Sequence, residues 1–439
     1  MIPRFSRRRL LAAALPLTAA GLVRAEPPMR EERPLRVGMI GVGNHGVDML
    51  VGVETEEILA LCDVDSKPLA AITEWLPEPR TFSDFREMLE LEGLEAVVIC
   101  TPDHTHAAAA SRSLARGLHV YCEKPLAGSI EECRHLAAQA EAAKAGGVVT
   151  QFGTQHRASD GNLQAIEWLR SGRLGRALAA HAWSNRPVWP QGIERPSETP
   201  AAPKNLAWDL WLGPAAERPY HPAYAPIKWR GWFEFGTGVL GDQAPHLLDP
   251  LVWGLELGYP SEVRAESPGG LEETFPEWSE VRFTFPRGEG PAFELTWYDG
   301  GRKPAREITG VPQLPPSGML ILCERANLFV PVKGGKPIVL PHEGEEGPEP
   351  PEATFPRAEN PHALWIQACR GSDRATHAAV GSDFCFAAQL TEICLLGNLA
   401  IRSGEKVRRE GEAVFVGSRP AEKRELGREP RAGWELAGG

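Results

Sequence analysis

No two of the eight cysteines, at 62, 100, 122, 133, 323, 369, 385 and 394, form a C-x-x-C pair or a metal-ligand spacing. A cysteine-based metal or redox centre is therefore not expected. Cys62, Cys100 and Cys122 fall at or near the ends of predicted strands, where small thiols are commonly buried, and free core thiols are the expectation. A basic stripe is missing as well. The first 25 residues hold five arginines and no acid, and without them 42 basic residues face 58 acidic ones, a net charge near −16. A surface of that sign repels phosphates and anionic membranes, which argues against a nucleic-acid partner and points to a small neutral substrate. Long apolar runs are also absent. Positions 10–23 make a run of 14 residues, too short to span a bilayer, and no later run approaches that length, so no stable membrane insertion is expected. Nor are there internal repeats.

What is present begins with Ser6-Arg7-Arg8-Arg9-Leu10-Leu11 ahead of that apolar run. This reads as a twin-arginine signal peptide over residues 1–25, with Val23-Arg24-Ala25 as the small-residue cleavage site. The expectation is export to the periplasm by the twin-arginine machinery. The remaining length suits two domains, and 42% hydrophobic with 24% charged residues is ordinary for a globular protein.

Residues 34–153 alternate strand and helix signals. Apolar runs at 37–40, 58–62, 96–100, 119–122 and 148–152 enclose helical stretches such as 129–145, where Ser129 and Glu132 form a capping box. Such alternation builds a doubly wound parallel sheet. Residues 154–439 read as a second domain. A helix at about 162–170 precedes a Trp- and Pro-rich stretch, and residues 168–253 hold eight of the 13 tryptophans. Strands follow at about 261–266, 278–285, 292–298 and 318–331, suggesting a largely antiparallel sheet. An acidic, proline-rich loop occupies 342–358, and helices return at 361–369 and 384–401.

The glycine turn Gly41-Val42-Gly43-Asn44-His45-Gly46 follows the first strand and opens a helix. Its glycines permit the tight turn, the approach of a pyrophosphate, and helix–strand packing. Asp63 lies 22 residues after Gly41 at the end of the next strand, where a carboxylate accepts from ribose hydroxyls and repels a 2′-phosphate. The pattern predicts NAD; Ser66 and Lys67 keep NADP open. The fourth strand ends in Thr101-Pro102-Asp103-His104-Thr105-His106 and the fifth in Glu123-Lys124-Pro125, both at the sheet edge where ligands bind. The cofactor-binding set is thus Gly41, Gly43, Asn44, His45, Gly46, Asp63, Thr101, Pro102, His106, Glu123 and Lys124.

With these motifs the chain resembles the glucose-fructose oxidoreductase/inositol dehydrogenase (Gfo/Idh/MocA) family. Three later stretches look like its exported, Trp-rich branch: Trp208-Asp-Leu-Trp-Leu-Gly-Pro214, Phe235 to Asp249, and Leu395 to Gly404. The resemblance implies an N-terminal Rossmann domain followed by an α/β domain with a large, mostly antiparallel open sheet, and the substrate between them. It maps the family's catalytic lysine onto Lys124 and its Asp-x-x-x-His pair onto Asp242 and His246. It also implies hydride transfer between NAD(P) and a hydroxyl or keto group of a sugar or polyol.

The residue types suit that chemistry. His246 is the better base near neutral pH, while Lys124 can donate to a developing alkoxide. Asp242, four residues earlier, shares a helical face with His246. Pro245 fits a first helical turn, whereas Pro250 deprives the His246 carbonyl of its helical donor, so the helix is expected to begin, kink or break there. Trp183, Trp189, Trp229 and Trp232 are candidate pocket walls, with Tyr220, Tyr224 and Arg230 as candidate hydrogen-bonding partners of sugar hydroxyls. Two alternatives stand beside the dehydrogenase reading: a glycosidase or lyase that oxidises its glycoside transiently, and a non-catalytic nucleotide-binding sensor. Outside the inner membrane no free NAD pool is expected, which predicts a tightly bound coenzyme; a homo-oligomer through the large sheet is the expected assembly.

Overall fold

The computed structural model describes residues 33–439, except 270, 271, 289, 310–312, 359 and 439. The export signal lies outside the described residues.

Six parallel strands form the first sheet: β1 (Arg36–Ile40), β2 (Glu57–Cys62), β3 (Arg80–Phe82), β4 (Ala96–Ile99), β5 (His119–Cys122) and β6 (Thr150–Phe152). Their spatial order is β3-β2-β1-β4-β5-β6. The strand order reverses between β1 and β4, so the loops after these two strands flank the crevice where such sheets bind ligands. β3, only three residues long, is the strand that the apolar runs did not announce. Helix 130–144 forms where the capping box placed it. Ser129 Oγ accepts from the Glu132 amide at 3.3 Å, and the Glu132 side chain reaches the Gly128 amide at 3.0 Å, one residue before the cap itself.

The second sheet holds ten strands: β7 (Ala177–Trp183), β8 (Glu262–Glu266), β9 (Glu280–Phe285), β10 (Phe293–Tyr298), β11 (Gly318–Cys323), β12 (Ala326–Val330), β13 (Ile338–Pro341), β14 (Val407–Glu410), β15 (Ala413–Val416) and β16 (Arg419–Pro420). Their order is β13-β12-β11-β7-β10-β9-β8-β14-β15-β16. The β7–β10 pair is parallel and the other pairings described are antiparallel. The single strand expected at 318–331 is a hairpin of two, turning at residues 324–325.

Two long helices cover this sheet. Helix Gly238–Gly254 runs unbroken through both Pro245 and Pro250, correcting the expected start or break. Nearly all of its residues are buried, and burial compensates the lost backbone bonds. Helix Phe384–Ser403 lies against it and against β8 and β9. Contrary to the expectation that no further apolar run reaches spanning length, the helical stretch 374–403 is long and apolar enough to cross a bilayer. In the folded chain 83% of its apolar window is buried, as in a core helix.

The chain also returns to the first sheet. Helix Pro361–Arg370 packs Trp365, Ile366 and Ala368 into one cluster with Leu35, Val37, Met39, Val98 and Tyr121. His362 stacks on Tyr121 with ring centroids 4.9 Å apart, and Arg370 donates to both oxygens of the buried Glu56 at 2.7 and 2.6 Å.

Candidate active site

The loop after β1 is the glycine turn. Gly41 has φ 85°, and a Cβ there would collide with the Cys100 carbonyl; a Cβ at Gly46 would collide with the Gly41 carbonyl. Both glycines are demanded by the fold. Gly43 is different. A Cβ on it would meet Asp63 Oδ2 and Pro68 at 3.7 Å, an ordinary contact. The fold itself does not require a glycine there, and a bare backbone at this position is what close approach of a pyrophosphate would need. Asn44 (φ 45°) completes the turn and His45 begins the helix His45–Gly52.

Asp63 Oδ2 accepts from the Val42 and Gly43 amides at 3.0 and 3.2 Å, and Oδ1 from the Asp65 amide at 2.8 Å. Burial pushes its carboxyl up, these amides acting against that. A carboxylate has about four acceptor positions, so capacity remains for a ribose hydroxyl. Glu123 is the second sign of an external partner. It is 4% exposed, and neither carboxylate oxygen has a hydrogen bond among the described residues. Beside it His45 Nε2 lies 3.6 Å from Glu123 Oε2 and 2.6 Å from the Gln155 side-chain nitrogen. Glu123 holds the His45 imidazole above its ordinary value, against burial. A bare glycine turn and an orphaned buried carboxylate beside it fit a dinucleotide.

Thr101 and His106 have structural partners. Thr101 Oγ1 accepts from Thr105 at 2.7 Å, and the His106 ring lies between the carbonyls of Pro125 (2.6 Å) and Thr101 (2.8 Å). His106 therefore fastens the loop after β4 to the loop after β5, leaving Thr101 and Pro102 at the crevice. Asp103 Oδ2 accepts from the Thr237 amide and hydroxyl at 3.0 and 2.7 Å, joining the first helix beyond β4 to the start of helix 238–254.

Lys124, Asp242 and His246 come together although 118 residues separate the first two. Lys124 Nζ donates to Asp242 Oδ1 at 2.7 Å and to its carbonyl at 3.0 Å. Arg230 Nε reaches the same Oδ1 at 3.3 Å, and the Gln243 amide donates to Oδ2 at 2.6 Å. Burial raises the Asp242 carboxyl, but Lys124 and then Arg230 outweigh it and hold the group well below the usual carboxylate range. His246 lies one turn further along the helix. Burial, then the Lys124 ammonium, push it down to about 3, so the ring is neutral. Its Nδ1 is buried without a hydrogen-bond partner among the described residues. His156, which spacing did not single out, sits with its ring centroid 6.3 Å from that of His246 and is lowered by burial and then by Lys333.

The candidate sugar-binding residues divide. Trp183 is fully buried with Tyr298 and Leu320, its Nε1 donating to the Pro315 carbonyl. Tyr224 and Trp232 are packed in a cluster with Trp211 and Phe235. These three are core rather than pocket wall, since local sequence does not reveal that an aromatic is enclosed on every side. Tyr220 is half-buried, edge-on to Trp208. Trp229 is buried in the same cluster as Tyr224 and Trp232, with the Arg230 guanidinium 4.3 Å from its ring centre and 5.9 Å from that of half-buried Trp189, so of these three Arg230 and Trp189 stay partly open.

Comparison with known proteins agrees with this architecture. Residues 35–151 match the Gfo/Idh/MocA model described as an oxidoreductase family with an NAD-binding Rossmann fold, and residues 179–291 match its C-terminal alpha/beta domain; together they span just over half of the chain. An inositol 2-dehydrogenase of Salmonella paratyphi B is 30% identical over 152 residues, 34% of this chain and 45% of that protein. A glycosyl hydrolase family 109 protein of Shewanella pealeana is 27% identical over 194 residues, 39% of this chain and 42% of that protein. The chain spans less than half the length of these curated relatives. Among solved structures, the WlbA dehydrogenase from Bordetella pertussis, in complex with NADH and UDP-GlcNAcA, shares the fold with a TM-score of 0.61 at 19% identity, covering 86% of this chain and 99% of that one.

Proposed function

Since the chain belongs to the Gfo/Idh/MocA oxidoreductase family, with an NAD-binding Rossmann domain, we propose that it moves a hydride between tightly held NAD and a hydroxyl or keto group of a sugar or polyol derivative. The observation that carries this reading is the Lys124–Asp242 pair at 2.7 Å, one helical turn from His246. It adjoins the glycine turn through Glu123, whose carboxylate approaches His45.

Bound along that turn, NAD supplies the hydride acceptor or donor. The chain's own residues do the rest. Gly41, Gly43 and Gly46 shape the turn, and Asp63 receives the adenosine ribose. Asp242 fixes the Lys124 ammonium, which donates to the substrate oxygen and stabilises negative charge as it develops there. His246 enters the reaction neutral and can accept the hydroxyl proton at Nε2, the ring nitrogen not enclosed by protein. A value of about 3 corrects the expectation of a base poised near neutral pH: the ring is a weaker base, so it takes the proton only as the hydride departs and the oxygen becomes a carbonyl. Purified protein, mixed with NAD and a panel of sugars and polyols, should form reduced nicotinamide; absence of any signal across the panel would sink this reading.

A second reading is supported by the glycosyl hydrolase family 109 relative. Oxidation of a hydroxyl near the anomeric carbon acidifies the adjacent C–H, elimination releases the aglycone, and water addition with return of the hydride closes the cycle. Release of a chromogenic aglycone from aryl glycosides with no net NADH would select it. We also propose export through the twin-arginine route: an Arg7→Lys, Arg8→Lys double variant should remain in the cytoplasmic fraction of cells that otherwise carry the protein in the periplasm.

A further inference from the structure

The whole chain carries a net charge of −11, yet the side of helix 238–254 that bears Asp242 and His246 is surrounded by cations. Lys124 and Arg230 share the single carboxylate of Asp242. Lys333 bears on His156 from a turn that packs directly on that ring's backbone side, since a Cβ at Gly334 would lie 3.4 Å from His156 Cβ. Both histidines are neutral. Of two further carboxylates nearby, Asp103 accepts from Thr237, and Glu123 approaches His45 without a hydrogen bond among the described residues. Two cations on one carboxylate leave an excess of positive charge at Asp242 itself, within a neighbourhood that Glu123 and Asp103 keep balanced, and such a local excess is where an anion can be collected.

Arg230 is built to receive it. Trp229 supports the plane of its guanidinium, and Asp242 takes only Nε. Nη1 has one long contact, 3.4 Å to the Ile227 carbonyl, and Nη2 donates to no described residue. The side chain is 29% exposed, so the free Nη1/Nη2 edge is reachable from the cleft. A stacked fork with one edge open matches a carboxylate in bidentate geometry better than a neutral hydroxyl.

Resting on the dehydrogenase reading above, we propose that the substrate is a sugar acid, whose carboxylate pairs with Arg230 while the reacting hydroxyl meets Lys124 and His246. Lys333 adds positive charge at the rim, and half-buried Trp189 offers the apolar wall for the sugar ring.

The test is calorimetric binding to the NAD-loaded full chain, with parallel NADH formation, for matched pairs of aldose and uronate in the gluco, galacto and manno series and for their 6-phosphates. Uronates should bind roughly 10- to 100-fold more tightly than the matched aldoses, the range of a charge-assisted hydrogen bond. Arg230→Gln should bring that ratio close to one, and Arg230→Lys should restore part of it; NAD titration of both variants checks that they are folded. Equal or tighter binding of the aldoses overturns the proposal while leaving the dehydrogenase reading intact. A preference for the phosphate esters over the uronates overturns the carboxylate assignment. If neither sugars nor sugar acids bind or turn over, the dehydrogenase reading falls with it.

Discussion

Lys124 Nζ lies 2.7 Å from Asp242 Oδ1, so one ammonium joins the loop after β5 of the nucleotide-binding sheet to the helix laid on the second sheet. Removing the ammonium should therefore strike chemistry harder than coenzyme binding. Lys124→Met is expected to lower kcat by about 10²- to 10⁴-fold, with NAD affinity, read from quenching of tryptophan fluorescence, changed far less. A variant that turns over normally would remove Lys124 from the mechanism.

The three glycines of the turn should separate by experiment. Gly43→Ala meets no obstacle in the protein itself, and its melting temperature should stay close to that of the parent. Its NAD affinity should nonetheless collapse. Gly41→Ala and Gly46→Ala meet backbone carbonyls and should lower the melting temperature as well. Undiminished NAD binding by Gly43→Ala would mean that the pyrophosphate does not cross this turn.

His246 and His104, both pushed down to about 3 by burial first, set two different pH responses. In the free enzyme His246 stays neutral from pH 8 down to pH 5. Substrate oxidation should accordingly show no acid limb from this residue in kcat/KM over that range. An acid limb near pH 6.5 that disappears in His246→Asn contradicts the assignment.

Stability should fall in the same interval. A histidine with a depressed folded value binds its proton in the unfolded chain first, so its contribution is whole above about 6.5 and is lost as the pH drops toward the folded value. His104 alone imposes a slope of about 1.4 kcal/mol per pH unit below 6.5. Denaturant midpoints at pH 7 and pH 5 measure it. His104→Asn, able to keep a bond to the Phe235 or Trp211 carbonyl, should reduce the slope by that amount and leave the shares of His246 and His377.

Arg370 neutralises Glu56, whose side chain is fully buried and also accepts from the Leu35 amide at 2.7 Å. Arg370→Ala leaves that carboxylate without its cation and should cost about 3–5 kcal/mol, visible as a lowered unfolding midpoint. A paired Glu56→Gln, Arg370→Met variant should recover much of the loss.

The parts that were legible from sequence are those whose physics is local. Gly41, Gly43 and Gly46 specify a turn within six residues, Ser129 caps its own helix, and period-two patterns mark β9 and β10. The parts that escaped depend on partners far along the chain. Ala177-Leu-Ala-Ala-His-Ala-Trp183 is rich in the best helix former, yet it is the strand β7 because β10 and β11 flank it on either side. Helix 238–254 outlasts two prolines because its surroundings bury it. Lys124 and Asp242 were each reached through family resemblance, but their contact was not, since nothing in a separation of 118 residues announces it. Arg230 was anticipated as a partner of hydroxyls, while its place on Asp242, which makes it a candidate for an acid, depends on how the fold brings residues 227–231 against helix 238–254.

The return of helix 361–370 to the first sheet has a consequence for how the protein comes into being. Leu35 and the first-strand residues Val37 and Met39 share their cluster with Trp365 and Ile366, residues synthesised more than 300 positions later. While the ribosome is still short of residue 370, that apolar face has only the part of its cover that Met49, Leu50, Leu69 and Ile72 supply. Maturation of the coenzyme-binding half, and with it the first capture of NAD, is thus a late event in the biogenesis of this chain, and fragments ending near residue 153 should be poorly soluble on their own.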